Sequence, residues 1–228
     1  MGSSIFREWR EMRDFAGDWS PIPVINRAFG GSETTDQLQG EVMDAVVFPH
    51  APRVLVYYCG SNDLNSGATP AEIRDNFKEW CSLSRQNLGP EVRVIFVSIN
   101  RAPQKRPLWR ALDDANALVE AYCRDAPHTR FVDVNGVLFD GAGQPRHDLY
   151  REDGLHFHPQ AYDEILTVLR GAVEEAWGEA VAGGGPGAAA AAVSGISEAS
   201  MGVGNSSGGA AVSSVDDQLP PVPPGRRR

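Results

Sequence analysis

The stretch RVLVYYCGSND, residues 53–63, decides how the chain is read. After Arg53, the rest of 53–59 forms an unbroken run of aliphatic, aromatic and cysteine residues. A strand of a parallel sheet, covered on both faces, reads in this way, whereas a half-exposed strand alternates. The run stops at Gly60-Ser61-Asn62-Asp63, a strong turn sequence. Outward from it, VRVIFVSI (92–99) repeats the pattern, and RFVDV (130–134) and PVINRAF (23–29) read as further strands.

Helical spacing separates these runs. Over 70–86, Pro70 occupies a first-turn position, and Ile73, Phe77, Trp80 and Cys81 share one face. Over 106–124 the stripe is Leu108, Leu112, Ala115, Val119 and Tyr122. Over 159–178 it is Tyr162, Ile165, Leu166, Leu169, Val173 and Trp177, again after a leading proline, Pro159. Strands alternating with helices imply parallel pairing through right-handed crossovers, hence an α/β fold built as a three-layer sandwich. Ligands of such folds bind at the carboxyl ends of the strands. The loops at that edge are Gly30-Gly31-Ser32, Gly60-Ser61-Asn62-Asp63 and the segment leading to Asp153-Gly154-Leu155-His156.

The 228 residues carry a formal net charge of -9, which disfavours a nucleic-acid partner held by phosphate neutralisation. No apolar run reaches the ~18 residues of a membrane span. The three cysteines, Cys59, Cys81 and Cys123, are odd in number and widely spaced, so neither a disulfide framework nor a zinc site is expected. Cys81 and Cys123 lie on apolar helical stripes and are read as buried free thiols. Residues 1–20 are polar and mixed and do not resemble a signal peptide. As written the chain reads as cytoplasmic, although a signal upstream of an incomplete amino end leaves the localisation open.

Composition changes near residue 180. Residues 180–228 are rich in Ala, Gly, Ser, Val and Pro and contain no aromatic residue, so they are expected to form a disordered tail after a domain spanning 1–179. The tail's PPVPP fits an SH3 or WW ligand, with a solvated tail lacking any partner as the other reading.

Acyl transfer needs a nucleophile, a base, a group that orients the base, and donors for the oxyanion. In DGLH (153–156), Asp153 can accept from one ring nitrogen of His156 and leave the other for a nucleophile. Asn62 offers a side-chain amide at a strand end. Gly31 offers a backbone N–H that no side chain obstructs. Asp63 is read as a turn-stabilising carboxylate and His158 as a loop histidine. Arg101 and Lys105 are read as solvated charges at the active edge, with contact to an anionic or sugar substrate as the alternative. His50 and His128 receive no assignment.

Taken together, FGGS, GSND some 30 residues later, and DGLH before a helix resemble the ordered blocks of the SGNH (GDSL-like) hydrolases. Gly2-Ser3-Ser4, followed by IFREW, resembles the Gly-Ser-Ser variant of that family's first block. The resemblance implies a flavodoxin-like α/β/α fold and a serine hydrolase acting on carboxylic esters, short acyl or acetyl esters above all, without cofactor or metal. It implies Ser4, Asp153 and His156 as the triad, with Ser4 N–H, Gly31 and Asn62 forming the oxyanion hole. An acyltransferase using a sugar or alcohol acceptor, and a binding protein without turnover, are the alternative functions. The resemblance also implies a first strand before the nucleophile, inside the sheet, for which Met1-Gly2-Ser3 leave no room. The chain is therefore expected to lack that strand and to be poorly stable as written, unless the valine-containing tail fills the gap.

Overall fold

The computed structural model describes residues 1–183. Its helices are α1 (Ser4–Met12), α2 (Phe15–Trp19), α3 (Thr34–Gln37), α4 (Gly40–Val42), α5 (Ser61–Asn65), α6 (Pro70–Leu88), α7 (Trp109–Asp125) and α8 (Pro159–Ala182). Three strands, β1 (Val54–Tyr57), β2 (Arg93–Val97) and β3 (Thr129–Val132), form a parallel sheet in the order β1-β2-β3. Leu55 pairs with Val94, and Val94 with Thr129.

Local chemistry sets the long helices. Thr69 caps α6, its hydroxyl accepting from Glu72 N–H at 3.2 Å while Glu72 accepts from Thr69 N–H at 2.7 Å. This reciprocal box with Pro70 behind it satisfies first-turn donors that would otherwise lack partners. Proline also opens α8, which runs to Ala182.

Side chains of β2 alternate between two cores. Ile95 and Val97 join Trp9, Tyr162, Ile165 and Leu169, beneath α1 and α8. Val94 and Phe96 join Ile73, Phe77, Trp80, Leu112 and Val119, beneath α6 and α7. Both faces of the sheet are thus covered, giving the three α/β/α layers expected from the unbroken apolar runs. All three cysteines are free and buried. Among the described residues no helix is long and apolar enough to cross a membrane.

Residues 23–29 depart from the expected strand. They are extended but outside the sheet, and their link to it is Phe29 N–H donating to Gly2 C=O at 3.0 Å. Pro21 and Pro23 supply no amide hydrogens at the start of this segment. Further along, the neighbour it would pair with is only Met1–Ser3. That short stretch bridges Tyr58 in parallel through Gly2. Below it, an apolar groove of about 400 Å³ separates residues 22–27 from β1. The residues from 184 onward, which include most of the expected tail and its PPVPP stretch, lie outside the described residues.

Candidate active site

Ser4 is the first residue of α1, directly after the turn Met1–Ser3. Gly2 has φ +149°, and a Cβ there would run into the carbonyl oxygen of Tyr58. The close approach lets Ser3 N–H donate to Tyr58 C=O at 3.1 Å, which fixes the start of the helix. Farther along, the Tyr162 hydroxyl of α8 donates to Ile5 C=O at 2.8 Å. Trp9 stacks on the same tyrosine ring, with centroids 4.9 Å apart. The helix carrying Ser4 is therefore anchored to α8.

The loop before α8 carries Asp153 and His156. Asp153 Oδ1 accepts from the backbone N–H groups of Leu155 and His156, both at 2.9 Å, folding DGLH into a tight turn. Gly154 takes φ +63°, and its N–H donates to Arg151 C=O at 2.8 Å. With the turn formed, the other carboxylate oxygen of Asp153 lies 2.7 Å from Nδ1 of His156. Nε2 of the same ring lies 3.1 Å from Ser4 Oγ. Desolvation would raise the Asp153 pKa, but the His156 ring and the two backbone donors outweigh it and hold the carboxyl at about 2.

A third group of loops meets at Ser32. Asn62, the second residue of α5, donates its amide to Ser32 C=O at 3.0 Å. Ser32 Oγ donates to Gly2 C=O at 3.2 Å and accepts from Gln37 Nε2 at 2.9 Å. Asp63 is buried and accepts from Thr34 N–H at 2.8 Å and from the Thr34 hydroxyl, tying the loop after β1 to the loop after residue 31. This fits its reading as a turn-stabilising group. Burial raises its pKa despite those two donors. Gly31 has φ +75° with open space where a Cβ would stand. The Gly30–Ser32 loop is thus bonded both to the turn before Ser4 and to Asn62.

Other candidates resolve differently. Lys105 is buried, where a solvated charge was expected, and desolvation lowers its pKa. The Arg101 guanidinium lies over Phe139 at 4.5 Å from the ring centroid, with Asp113 at 3.7 Å. His158 is exposed at the start of α8, as expected of a loop histidine. Among the described residues no cluster of His, Cys, Asp and Glu is arranged to hold a metal ion.

Sequence reasoning missed Glu8 and Arg151. Glu8 is buried on α1, one turn beyond Ser4, with Oε1 3.7 Å from His156 Nε2. It pairs with Arg7 at 3.1 Å and with Arg151. Arg151 N–H donates to His156 C=O at 2.8 Å, so this ion pair joins the two halves of the site. The i, i+4 relation of Ser4 and Glu8 placed both on one helical face, the one signal in the sequence that pointed to it.

Residues 2–164 match the GDSL-like Lipase/Acylhydrolase family. The chain belongs to that family. Solved structures agree in fold with this GDSL-like lipase/acylhydrolase. A putative acylhydrolase from Bacteroides fragilis superimposes with a TM-score of 0.64 at 20% identity, covering 77% of this chain and 85% of that one. A protein described as a putative platelet activating factor from Streptococcus pneumonia gives 0.64 at 20% identity, covering 75% and 80%. The OSK domain of Drosophila Oskar gives 0.58 at 14% identity, covering 76% and 86%. A comparison with curated proteins gave no match.

Proposed function

We propose that this GDSL-like lipase/acylhydrolase is a serine esterase that cleaves short acyl esters through an acyl-enzyme. The observation that carries this reading is the continuous relay from Ser4 Oγ through His156 to Asp153, with steps of 3.1 and 2.7 Å. Ser4 Oγ attacks the ester carbonyl carbon as His156 Nε2 takes its proton. Asp153, ionised throughout neutral pH, holds the Nδ1 proton and stabilises the imidazolium. Ser4 N–H, Gly31 N–H and the second amide hydrogen of Asn62 bind the oxyanion. The tetrahedral adduct collapses, the imidazolium gives its proton to the departing alcohol, and the acyl group stays on Ser4. Water then attacks the acyl-enzyme with His156 again as base, releasing the acid and restoring the serine. No cofactor enters these steps.

The preference for acetyl and other short acyl groups rests on the family resemblance and on the open setting of the relay, since Asp153 is exposed. A fluorophosphonate probe tests the nucleophile. Covalent labelling of the full chain is expected at Ser4, found by peptide mass, and it should vanish in Ser4→Ala. Absence of labelling in the folded chain would favour a binding protein without turnover. Initial rates on p-nitrophenyl esters from acetyl to decanoyl should fall as the chain lengthens. A rate that rises with acyl length would overturn the short-acyl preference.

A further inference from the structure

The loop that follows β2 has a charge pattern at odds with the rest of the chain. Residues 101–112 hold Arg101, Lys105, Arg106 and Arg110 and no Asp or Glu, in a protein of formal net charge -9. Arg101 N–H donates to Asn135 Oδ1 at 2.7 Å, which fixes the start of the loop. The chain then turns tightly, with Lys105 N–H donating to Ala102 C=O at 2.9 Å. Gln104 N–H donates to Gly154 C=O at 2.9 Å, so the turn is bonded to DGLH. The fit is close: a Cβ on Gly154 would lie 3.4 Å from Gln104 N and 3.5 Å from Pro103 Cβ. This basic loop is therefore packed against the turn that holds His156.

Its cations are poorly matched within the protein. The Arg101 guanidinium is held by rings, 4.5 Å from the Phe139 centroid and 5.9 Å from that of Trp109. Arg106 lies over the same Trp109 ring at 4.6 Å. Ring contacts orient a guanidinium without using its N–H donors. Arg101 Nε is buried without a hydrogen bond, although the side chain as a whole keeps 33% of its surface exposed. The carboxylate that pairs with it, Asp113, stands 3.7 Å away and is itself 54% exposed, a weak ion pair. Lys105 is turned inward between exposed Gln104 and Arg106, is 2% exposed, and pairs with no carboxylate among the described residues. A buried ammonium without a counter-charge costs stability, and its field acts on the adjoining loop with little screening.

The chemistry of ester cleavage says which part of a substrate meets this loop. The carbonyl oxygen turns to the oxyanion donors, whereas the departing alcohol oxygen must take its proton from His156 Nε2. The alcohol part of the ester therefore lies on the histidine side of Ser4, where the loop bonded to the histidine turn can reach it.

We propose that the 101–106 loop is a subsite for an oxyanion, a carboxylate or a phosphate, carried on the alcohol part of the ester, with Arg101 as the direct donor and Lys105 as a buried counter-charge behind it. The inference rests on the serine-esterase reading and narrows its substrates to esters of anionic alcohols. A guanidinium fixed by rings presents paired N–H donors that match either oxyanion. On an otherwise acidic protein, a local basic patch also favours the approach of an anionic ester at this edge.

The test compares the m- and p-acetoxybenzoates with the matching acetoxybenzamides, which carry the same acetyl group on an uncharged phenol. For the full wild-type chain, kcat/KM is expected to be at least about tenfold higher on one or both benzoates, the effect of one charge-assisted contact. The advantage should shrink as salt rises. Arg101→Gln should abolish it and Lys105→Met should reduce it, while both variants keep the benzamide rate within about twofold of wild type. Lys105→Met should also raise Tm, because an unpaired buried charge is removed, whereas loss of a residue kept for stability would lower it. Run beside them, p-acetoxyphenyl phosphate separates phosphate from carboxylate by the larger advantage. Equal kcat/KM on charged and neutral esters, or an advantage untouched by Arg101→Gln, would overturn the subsite and leave the esterase standing. If no ester is turned over, the esterase reading falls, and calorimetry judges the subsite by itself. In that case p-hydroxybenzoate or inorganic phosphate should bind the wild type and not Arg101→Gln, and binding of neither to the wild type would overturn the subsite as well.

Discussion

Glu8 Oε1 lies 3.7 Å from His156 Nε2, the ring nitrogen that also faces Ser4. In the proposed mechanism, this buried carboxylate would stabilise the positive charge that the ring gains when Ser4 gives up its proton. Through Arg151 it also holds the loop that carries the histidine. Glu8→Gln is expected to lower kcat about tenfold, ~1.4 kcal/mol in the barrier, with KM little changed. Arg151→Gln should lower kcat by a similar factor. The double variant should lose less than the product of the two, because one interaction has been removed twice. Steady-state kinetics on p-nitrophenyl acetate checks this, and multiplicative losses would separate the two residues.

Ser4→Ala and His156→Ala should each abolish nearly all ester hydrolysis. The double variant should be no worse than either alone, since in the proposed mechanism nucleophile and base act as one unit. Asp153→Asn should retain measurable turnover, because the ring keeps its place opposite Ser4 while losing its anionic partner. Wild-type turnover in Ser4→Ala, measured after active-site titration, would remove the nucleophile from this position.

Asn62→Ala should lower kcat by about 10²–10³, roughly 3–4 kcal/mol, with a small change in KM. One amide hydrogen of Asn62 already goes to Ser32 C=O. The substitution therefore also loosens the loop holding Gly31. Asn62→Asp keeps the size but places an acceptor beside Ser32 C=O, so it should be at least as damaging. An effect confined to KM would assign Asn62 to ground-state binding.

Acid stability should carry the signature of Asp153. Its pKa falls from 3.8 to about 2 on folding. A depressed carboxylate contributes stability that is fully present above the unfolded value and is lost as pH falls through the folded one. The contribution should therefore disappear between about pH 4 and pH 2. Asp18, lowered chiefly by its hydrogen bond from Arg13, titrates in the same direction. Urea midpoints measured from pH 2 to 5 should show a shallower decline in Asp153→Asn than in the wild type. Parallel declines would show that the carboxylate is unperturbed.

Local pattern alone determined much of this protein. Largely apolar runs at 53–59 and 92–99, with proline-led helical stripes between them, specified a parallel sheet covered on both faces. Asp153 and His156 are three residues apart, so their pairing depends on one turn and could be read from four letters. Other features depended on distant parts of the chain. Ser4 and His156 are separated by 152 positions, and their 3.1 Å contact exists because α1 and α8 pack through Trp9, Ile5 and Tyr162. Glu8 looked like one charge among several in a polar opening segment, and only folding buried it against Arg151 and His156. Residues 23–29 had the composition of a strand, but a strand is completed by its neighbour. Pairing is a property of two segments, and among the described residues the backbone bond from this segment to the sheet side is Phe29 N–H to Gly2 C=O.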